Sequence, residues 1–129
     1  MAVSTAAAAD ARSYSEPCPE RSQRVIRVGV LGLGNVGQAV LRRAAASAGV
    51  LRERGVRLSI EAALVRDVGR ARRCPRVARL TSNAEAFLRG RYDVVIDALA
   101  GREPAGAIVA RLLGRGTAVV SANKALIAA

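Results

Sequence analysis

The sequence of 129 residues has no histidine, no tryptophan and two cysteines, Cys18 and Cys74. Without histidine, Ser-His and Cys-His nucleophilic sites and a Cys/His zinc site are excluded within these residues. The two cysteines lie far apart in irregular sequence. We therefore expect reduced thiols, with neither a disulfide framework nor a metal site.

Aromatic residues make up only 2% of the chain, namely Tyr14, Phe87 and Tyr92. A core must then be built from Val, Leu, Ile and Ala, which favours α/β layers. A chain of this size buries about two-thirds of its surface on folding, enough for one compact domain. No apolar run approaches the ~20 residues that span a bilayer, so we expect a soluble, cytoplasmic protein without a membrane partner.

Acidic residues are also scarce, with 10 against 21 basic residues and a formal charge of +11. All the basic residues except Lys124 are arginine. Such an excess suits a polyanion such as nucleic acid, but aromatic side chains that could stack on bases are nearly absent. The alternative explanation of the arginine excess is a high-GC coding background, with the arginines on solvated helix faces. Nucleic acid is therefore not the expected partner.

Residues 1–24 mix Ala, Ser, Pro and charged residues without periodicity, which predicts a disordered tail. A secretory signal is not expected, because the first basic residue is Arg12 and the early run is alanine. Ala, Ser and Arg leave an organelle transit peptide open, although Asp10, Glu16 and Glu20 argue against it.

From residue 25 onward, strand and helix patterns alternate, with an intervening charged loop over 66–79. The patterns predict strands over 25–31, 58–65, 92–99 and 117–121, and helices over 35–48, 83–89 and 103–113. Gly49 is expected to end the first helix, an Arg/Glu-rich connection to follow over 51–57, and Asn83 to cap the second helix. Short buried strands alternating with helices predict a Rossmann-like, doubly wound parallel sheet over 25–129. Residues 125–129 resemble the opening of another helix, so we expect this domain to be incomplete at its C-terminus.

A glycine motif follows the first predicted strand and opens the first predicted helix. That placement is the one a dinucleotide fingerprint requires. The first glycine would make the tight turn, the second would admit a pyrophosphate, and the third would let the helix pack closely. The expected cofactor-binding residues are Gly32, Leu33, Gly34, Asn35, Val36 and Gly37. The alternative is a glycine-rich turn without a ligand.

The end of the second predicted strand reads Val65-Arg66-Asp67. There an acidic residue would prefer the ribose 2′-hydroxyl of NAD, whereas an arginine would accept the 2′-phosphate of NADP. Both remain open, but three further arginines follow closely and favour NADP. These are Arg70, Arg72 and Arg73. Alternatively, they lie on a solvated loop and bind no phosphate.

The last predicted strand is followed by a second polar segment, Ser121-Ala122-Asn123-Lys124. Ligands of open α/β sheets bind outside the carboxyl ends of the strands. The hydroxyl, amide and ammonium groups could therefore orient a nicotinamide or a substrate carboxylate. Alternatively, Asn123 caps the terminal helix and Lys124 is merely exposed.

Three segments together resemble homoserine dehydrogenase: VGVLGLGNVGQAV at 28–40, VVIDALAGREPA at 94–105 and VVSANKALIA at 119–128. The resemblance implies that Gly32 to Gly37 bind the pyrophosphate of NADP or NAD and that Arg66 meets a 2′-phosphate. It also implies that Leu99 and Ala100 border the nicotinamide, that Ser121 and Asn123 belong to the cofactor site, and that Lys124 is catalytic. Ser121 stands where the family usually has threonine.

The implied reaction is reversible hydride transfer between NAD(P)H and aspartate 4-semialdehyde, giving homoserine for threonine and methionine synthesis. The family's substrate and dimerisation region would begin after residue 129. We therefore expect a fragment that binds cofactor without turnover and dimerises only with that region.

Two other interpretations remain. An aspartate dehydrogenase or dihydrodipicolinate reductase shares the half-fold, but Glu103-Pro104 and Asn123-Lys124 argue against both. A basic, non-catalytic nucleic-acid or regulatory module would show salt-dependent DNA retention without nucleotide binding.

Overall fold

The computed structural model describes residues 23–71 and 77–128. Its strands are β1 (Arg24–Leu31), β2 (Val56–Leu64), β3 (Leu80–Thr81), β4 (Val94–Asp97) and β5 (Ala118–Ser121). Its helices are α1 (Asn35–Ala46), α2 (Ala48–Glu53), α3 (Val68–Ala71), α4 (Ala84–Leu88), α5 (Ala105–Gly114) and α6 (Lys124–Ile127). Residues 1–22 of the expected tail lie outside the described residues, as do both cysteines.

The five strands form one parallel sheet in the order β3-β2-β1-β4-β5. The chain moves outward from β1 to β3, then returns to add β4 on the other side of β1. The strand order therefore reverses at β1, which is where sheets of this type bind their ligands. The predicted doubly wound α/β fold is confirmed.

An apolar cluster covers each face of the sheet, because β-strand side chains alternate between faces. On one face Val28 and Val30 of β1 pack with Leu41 of α1. On the other, Val95 of β4 packs with residues of α4 and α5, including Ile108. The low aromatic content is compensated by these aliphatic layers, as the composition predicted.

The aromatic pair of the core depends on a glycine in β1. The rings of Phe87 and Tyr92 stack with centroids 4.8 Å apart. A Cβ at Gly29 would lie 2.8 Å from the Phe87 ring, so a side chain there would displace it. The Tyr92 hydroxyl donates to the Phe87 carbonyl at 2.7 Å, and burial raises the pKa of Tyr92.

The predicted helix over 35–48 is in fact two helices, α1 and α2, separated at Ser47. Gly49 was expected to end the helix, but it lies inside α2. The chain turns instead at Gly55, whose φ of +79° suits a residue without a Cβ. The expected connection over 51–57 is therefore partly helical.

Other boundaries also differ from the sequence prediction. The charged loop contains the short helix α3, and β3 is a strand that was not predicted. β3 has only two residues and is defined by its pairing with β2, which local sequence does not show. The strand predicted over 92–99 corresponds to β4, which is shorter and covers only Val94–Asp97. The predicted cap of α4 is confirmed, since the Asn83 side chain accepts from the Ala86 amide at 3.1 Å.

No helix in the described part of the chain has the length and apolarity needed to cross a bilayer.

The start of β4 is attached to β1 by a carboxylate, which gives the fold a pH-dependent contact. The Arg27 amide donates to Asp93 Oδ2 at 2.8 Å, and Arg27 Nε lies 3.5 Å from the same oxygen. These hydrogen bonds lower the pKa of Asp93 below its ordinary value of 3.8. The carboxylate therefore stabilises the fold above that value, and the contribution is lost as pH falls through the depressed pKa.

We predict that Asp93→Asn lowers the melting temperature at pH 7 and that its difference from the wild type shrinks below pH 3.8. Thermal unfolding followed by circular dichroism between pH 2 and pH 7 measures this. The control is Glu53→Gln, which changes an exposed carboxyl at the end of α2. A difference between Asp93→Asn and wild type that stays constant over this range would contradict the prediction.

Candidate dinucleotide-binding site

Four strands end side by side at the carboxyl edge of the sheet. Leu31 of β1 is matched with Leu64 of β2 and with Asp97 of β4, and Asp97 is matched with Ser121 of β5. With adjacent parallel strands ~4.8 Å apart, these four ends span about 14 Å. The predicted site residues directly follow or include these ends, so the fold brings them together along one edge.

The glycine motif forms a tight turn at the centre of this edge. Gly32 has a φ of +91° and its amide donates to the Leu64 carbonyl at 2.8 Å. A Cβ at Gly32 would lie 3.0 Å from the Ala98 carbonyl. The turn is thus packed between the ends of β2 and β4 and accepts little besides glycine.

Gly37 brings α1 into contact with that turn. A Cβ at this position would lie 2.1 Å from the Gly32 carbonyl oxygen, closer than any side chain can approach. The Gln38 side chain also donates to the Leu33 carbonyl at 2.9 Å, which fastens the loop to the helix. The first turn of α1 is therefore held directly against the end of β1.

Gly34 leaves the space for a ligand. It is the N-cap residue of the 12-residue helix α1, no side chain caps this helix end, and nothing lies within 4 Å of a Cβ built on it. The N-terminal N–H groups and the dipole of such a helix favour an anion. Asn35 and Val36, in the first turn, are exposed. This open, uncapped N-terminus fits a pyrophosphate.

The charged residues after β2 divide into two kinds. Asp67 Oδ1 accepts from the amides of Gly69 at 2.9 Å and Arg70 at 3.3 Å, so its carboxylate is engaged at the start of α3. Arg66 is exposed and lies two residues beyond the end of β2. The geometry leaves the Arg66 guanidinium accessible to a ligand at the β2 end. Arg72 and Arg73 fall outside the described residues.

The loop after β4 borders the glycine turn. A Cβ at Gly32 would lie 3.1 Å from Leu99 Cδ2, which places the Leu99 side chain against the turn. Ala100 is exposed beside it. Their predicted contact with a nicotinamide stays a prediction, but both lie on the β4 side of the predicted pyrophosphate position.

A buried hydrogen-bond network joins β4 to β5 at this edge, and sequence reasoning did not select its central residue. Asp97 is fully buried. Its Oδ1 accepts from the Leu99 amide at 3.1 Å, and its Oδ2 accepts from the Ser121 hydroxyl at 3.0 Å. The available signal was an acidic residue that ends an otherwise apolar strand, Val94-Val95-Ile96.

Asn123 extends the network to α6. Its Oδ1 accepts from the Leu126 amide at 3.2 Å, its Nδ2 donates to the Gly101 carbonyl at 2.6 Å, and the residue is 3% exposed. This is the helix-capping arrangement that the sequence left as an alternative. Lys124, the first residue of α6, is exposed. Direct contacts of Ser121, Asn123 and Lys124 with a cofactor stay predictions.

Two cavities in the described part of the chain lie away from the carboxyl edge. One, of about 330 Å³, is formed by α1, α2 and β2, with Leu41 and Leu58 in its wall. The other, of about 360 Å³, contains Tyr92, Arg115 and Thr117 at the amino ends of β4 and β5.

Residues 32–129 match the family model described as homoserine dehydrogenase, NAD binding domain. The chain belongs to this family. Homoserine dehydrogenase of Mycobacterium leprae is 39% identical over 109 residues, which cover 83% of this chain and 24% of that protein. The chain thus spans about a quarter of the length of the curated relatives it matches.

Solved structures of homoserine dehydrogenases share the fold. The S. aureus enzyme superposes with a TM-score of 0.73 at 25% identity, covering 80% of this chain and 27% of that one. The Thiobacillus denitrificans enzyme has a TM-score of 0.65 at 35% identity, covering 81% and 25%. Both are similarities to homoserine dehydrogenases, and the family model that matches this chain is that family's NAD-binding domain.

We predict that Gly34→Val weakens NADPH binding by more than about tenfold while the protein stays folded, because the new side chain would fill the open space at the helix N-terminus. Isothermal titration calorimetry with NADPH and circular dichroism measure the two effects. Gly49→Val is the matched control, since nothing lies within 4 Å of a Cβ there either. Unchanged NADPH affinity in a folded Gly34→Val protein would show that the ligand position is wrong.

Proposed function

We propose that this chain is the NADP-binding portion of a cytoplasmic homoserine dehydrogenase. In the intact enzyme the reaction would be reversible hydride transfer between NAD(P)H and aspartate 4-semialdehyde, giving homoserine for threonine and methionine synthesis. The observation that supports this best is the uncapped N-terminus of α1 beside the Gly32 turn, in a chain of the homoserine dehydrogenase family.

The residues at the carboxyl edge would divide the dinucleotide among them. The backbone from Gly32 to Gly37 would hold the pyrophosphate at the N-terminus of α1, and Arg66 would pair with a ribose 2′-phosphate. Leu99 and Ala100 would exclude water from one side of the nicotinamide. When bound, the cofactor supplies the hydride acceptor or donor.

Lys124 is the proposed catalytic residue of this chain. Its exposed ammonium group begins α6, directly after the β5 end of the site. From there a flexible cation could neutralise the oxygen or carboxylate of a small substrate bound beside the nicotinamide. The groups that clamp the amino acid and relay the hydroxyl proton would come from the remaining length of the enzyme. That region would also form a homodimer.

We predict that Arg66→Ala weakens NADPH binding by roughly tenfold to a hundredfold and changes NADH binding little, because charged hydrogen bonds contribute ~1.5–3 kcal/mol. Parallel titrations with NADPH and NADH measure the preference. Arg57→Ala, in β2 and exposed, controls for loss of general positive charge. Equal losses for both coenzymes would assign Arg66 a structural or general electrostatic role.

We predict that the 129-residue chain alone does not oxidise homoserine. Positioning two reactants can lower a barrier by about 7–11 kcal/mol, and one lysine does not position a substrate. Spectrophotometric assay of NADPH formation tests this. Turnover that Gly34→Val abolishes would contradict the prediction.

The same chain should become active when it replaces the matching first quarter of the Mycobacterium leprae relative. In that chimera Lys124→Ala should lower turnover by at least about tenfold, measured as kcat. An active chimera that Lys124→Ala leaves unchanged would remove Lys124 from the catalytic residues.

A further inference from the structure

The proposed function leaves one buried acidic side chain without a role. Asp97 is 0% exposed and lies at the carboxyl end of β4, within the proposed site. Burying a carboxyl group costs free energy unless hydrogen bonds replace its hydration. Here both oxygens accept hydrogen bonds, one from a backbone amide and one from a side-chain hydroxyl.

The two donors belong to the two loops that would border the nicotinamide. The Leu99 amide, 3.1 Å from Asp97 Oδ1, fixes the loop after β4. The Ser121 hydroxyl, 3.0 Å from Asp97 Oδ2, fixes the end of β5. A single carboxyl group therefore links these two segments, in addition to the backbone hydrogen bond from the Ala122 amide to the Asp97 carbonyl at 2.9 Å.

The network continues from β5 to the backbone of Lys124. The Asn123 amide donates to the Ser121 oxygen at 3.0 Å, which leaves the Ser121 hydroxyl proton free to donate to Asp97. The Asn123 side chain then caps α6 and holds Gly101 of the facing loop. The Ser121 hydroxyl therefore accepts from the Asn123 amide and donates to Asp97, whose two oxygens both accept.

We propose that Asp97 is a positioning residue for the nicotinamide half of the dinucleotide. It acts through Leu99 on one side and through Ser121 and Asn123 on the other, and it touches neither cofactor nor substrate. This inference rests on the proposed function. The pyrophosphate half of the site is fixed separately, by the Gly32 turn and the contact of Gly37 with it.

Because the two halves of the site are held by different residues, a role of Asp97 in positioning the nicotinamide can be distinguished from a general role in folding. NADPH carries a nicotinamide, whereas 2′-phospho-ADP-ribose has the same phosphates and adenosine without it. Asp97→Asn replaces one carboxylate oxygen, which accepts a hydrogen bond, with an NH₂ group, which cannot accept one. It should weaken NADPH binding by about threefold to tenfold, the equivalent of one net hydrogen bond, and leave 2′-phospho-ADP-ribose within about twofold.

The experiment titrates the 129-residue chain with both ligands by calorimetry and records the fluorescence emission of bound NADPH. Ser121→Ala provides a second variant, since it removes only the hydroxyl and keeps the Asp97 carboxyl with its Leu99 donor. It should show the same selective loss. Ser121→Thr restores a hydroxyl and should recover the NADPH affinity and the emission maximum of the wild-type complex.

Glu85→Gln is the matched control, because it changes an exposed carboxyl on α4 that pairs with Arg111. Equal weakening of both ligands by folded Asp97→Asn and Ser121→Ala would overturn the proposal, as would no weakening by either. Equal affinity of the wild-type chain for both ligands would also overturn it. If the wild-type chain binds neither ligand, the proposed function fails first and the inference fails with it.

Discussion

The contact of Gly37 with the carbonyl of Gly32 is the constraint on which the proposed site depends. No side chain fits between α1 and the end of β1, since a Cβ at Gly37 would lie 2.1 Å from that oxygen. This approach directs the N-terminus of α1 at the point where the strand order reverses. The helix dipole and its free N–H groups then act at a fixed place. Gly34, the N-cap residue, completes the arrangement, because it has no side chain to bond the helix N–H groups or to fill the space in front of them.

The second constraint is the register of the strands. Matching Leu31 with Leu64 and Asp97 makes strands of different length end together, although β2 has nine residues and β4 has four. A shift of one residue in β4 would turn Asp97 to the opposite face and separate it from Ser121. The network at the β4 and β5 ends therefore depends on the same pairing that builds the sheet, so the fold and this half of the site form together.

Local sequence predicted the parts of this protein that local physics determines. The glycine motif between a strand and a helix, the alternation of elements and the Asn83 cap all follow from patterns within about 15 residues. Sequence reasoning expected Gly49 to end the first helix, but a glycine is also tolerated inside a helix, and the chain turns at Gly55 instead. β3 and the role of Asp97 were missed for another reason. Each is defined by a partner strand, and Asp97 meets Ser121 across 24 residues of sequence.

Arg66 and Lys124, the two cations at the ends of the carboxyl edge, are alike in having a fixed backbone and an exposed side chain. Arg66 follows the buried Val65, two residues beyond the end of β2, while the neighbouring Asp67 carboxylate accepts a hydrogen bond from the Gly69 amide of α3. Lys124 follows Asn123, whose side-chain nitrogen and oxygen each make a hydrogen bond within the protein. A fixed backbone limits the reach of each cation, and an exposed side chain keeps it available to an incoming group. The distance between the two ends, about 14 Å along the sheet, then separates the charge that would bind a phosphate from the charge that would act on a substrate.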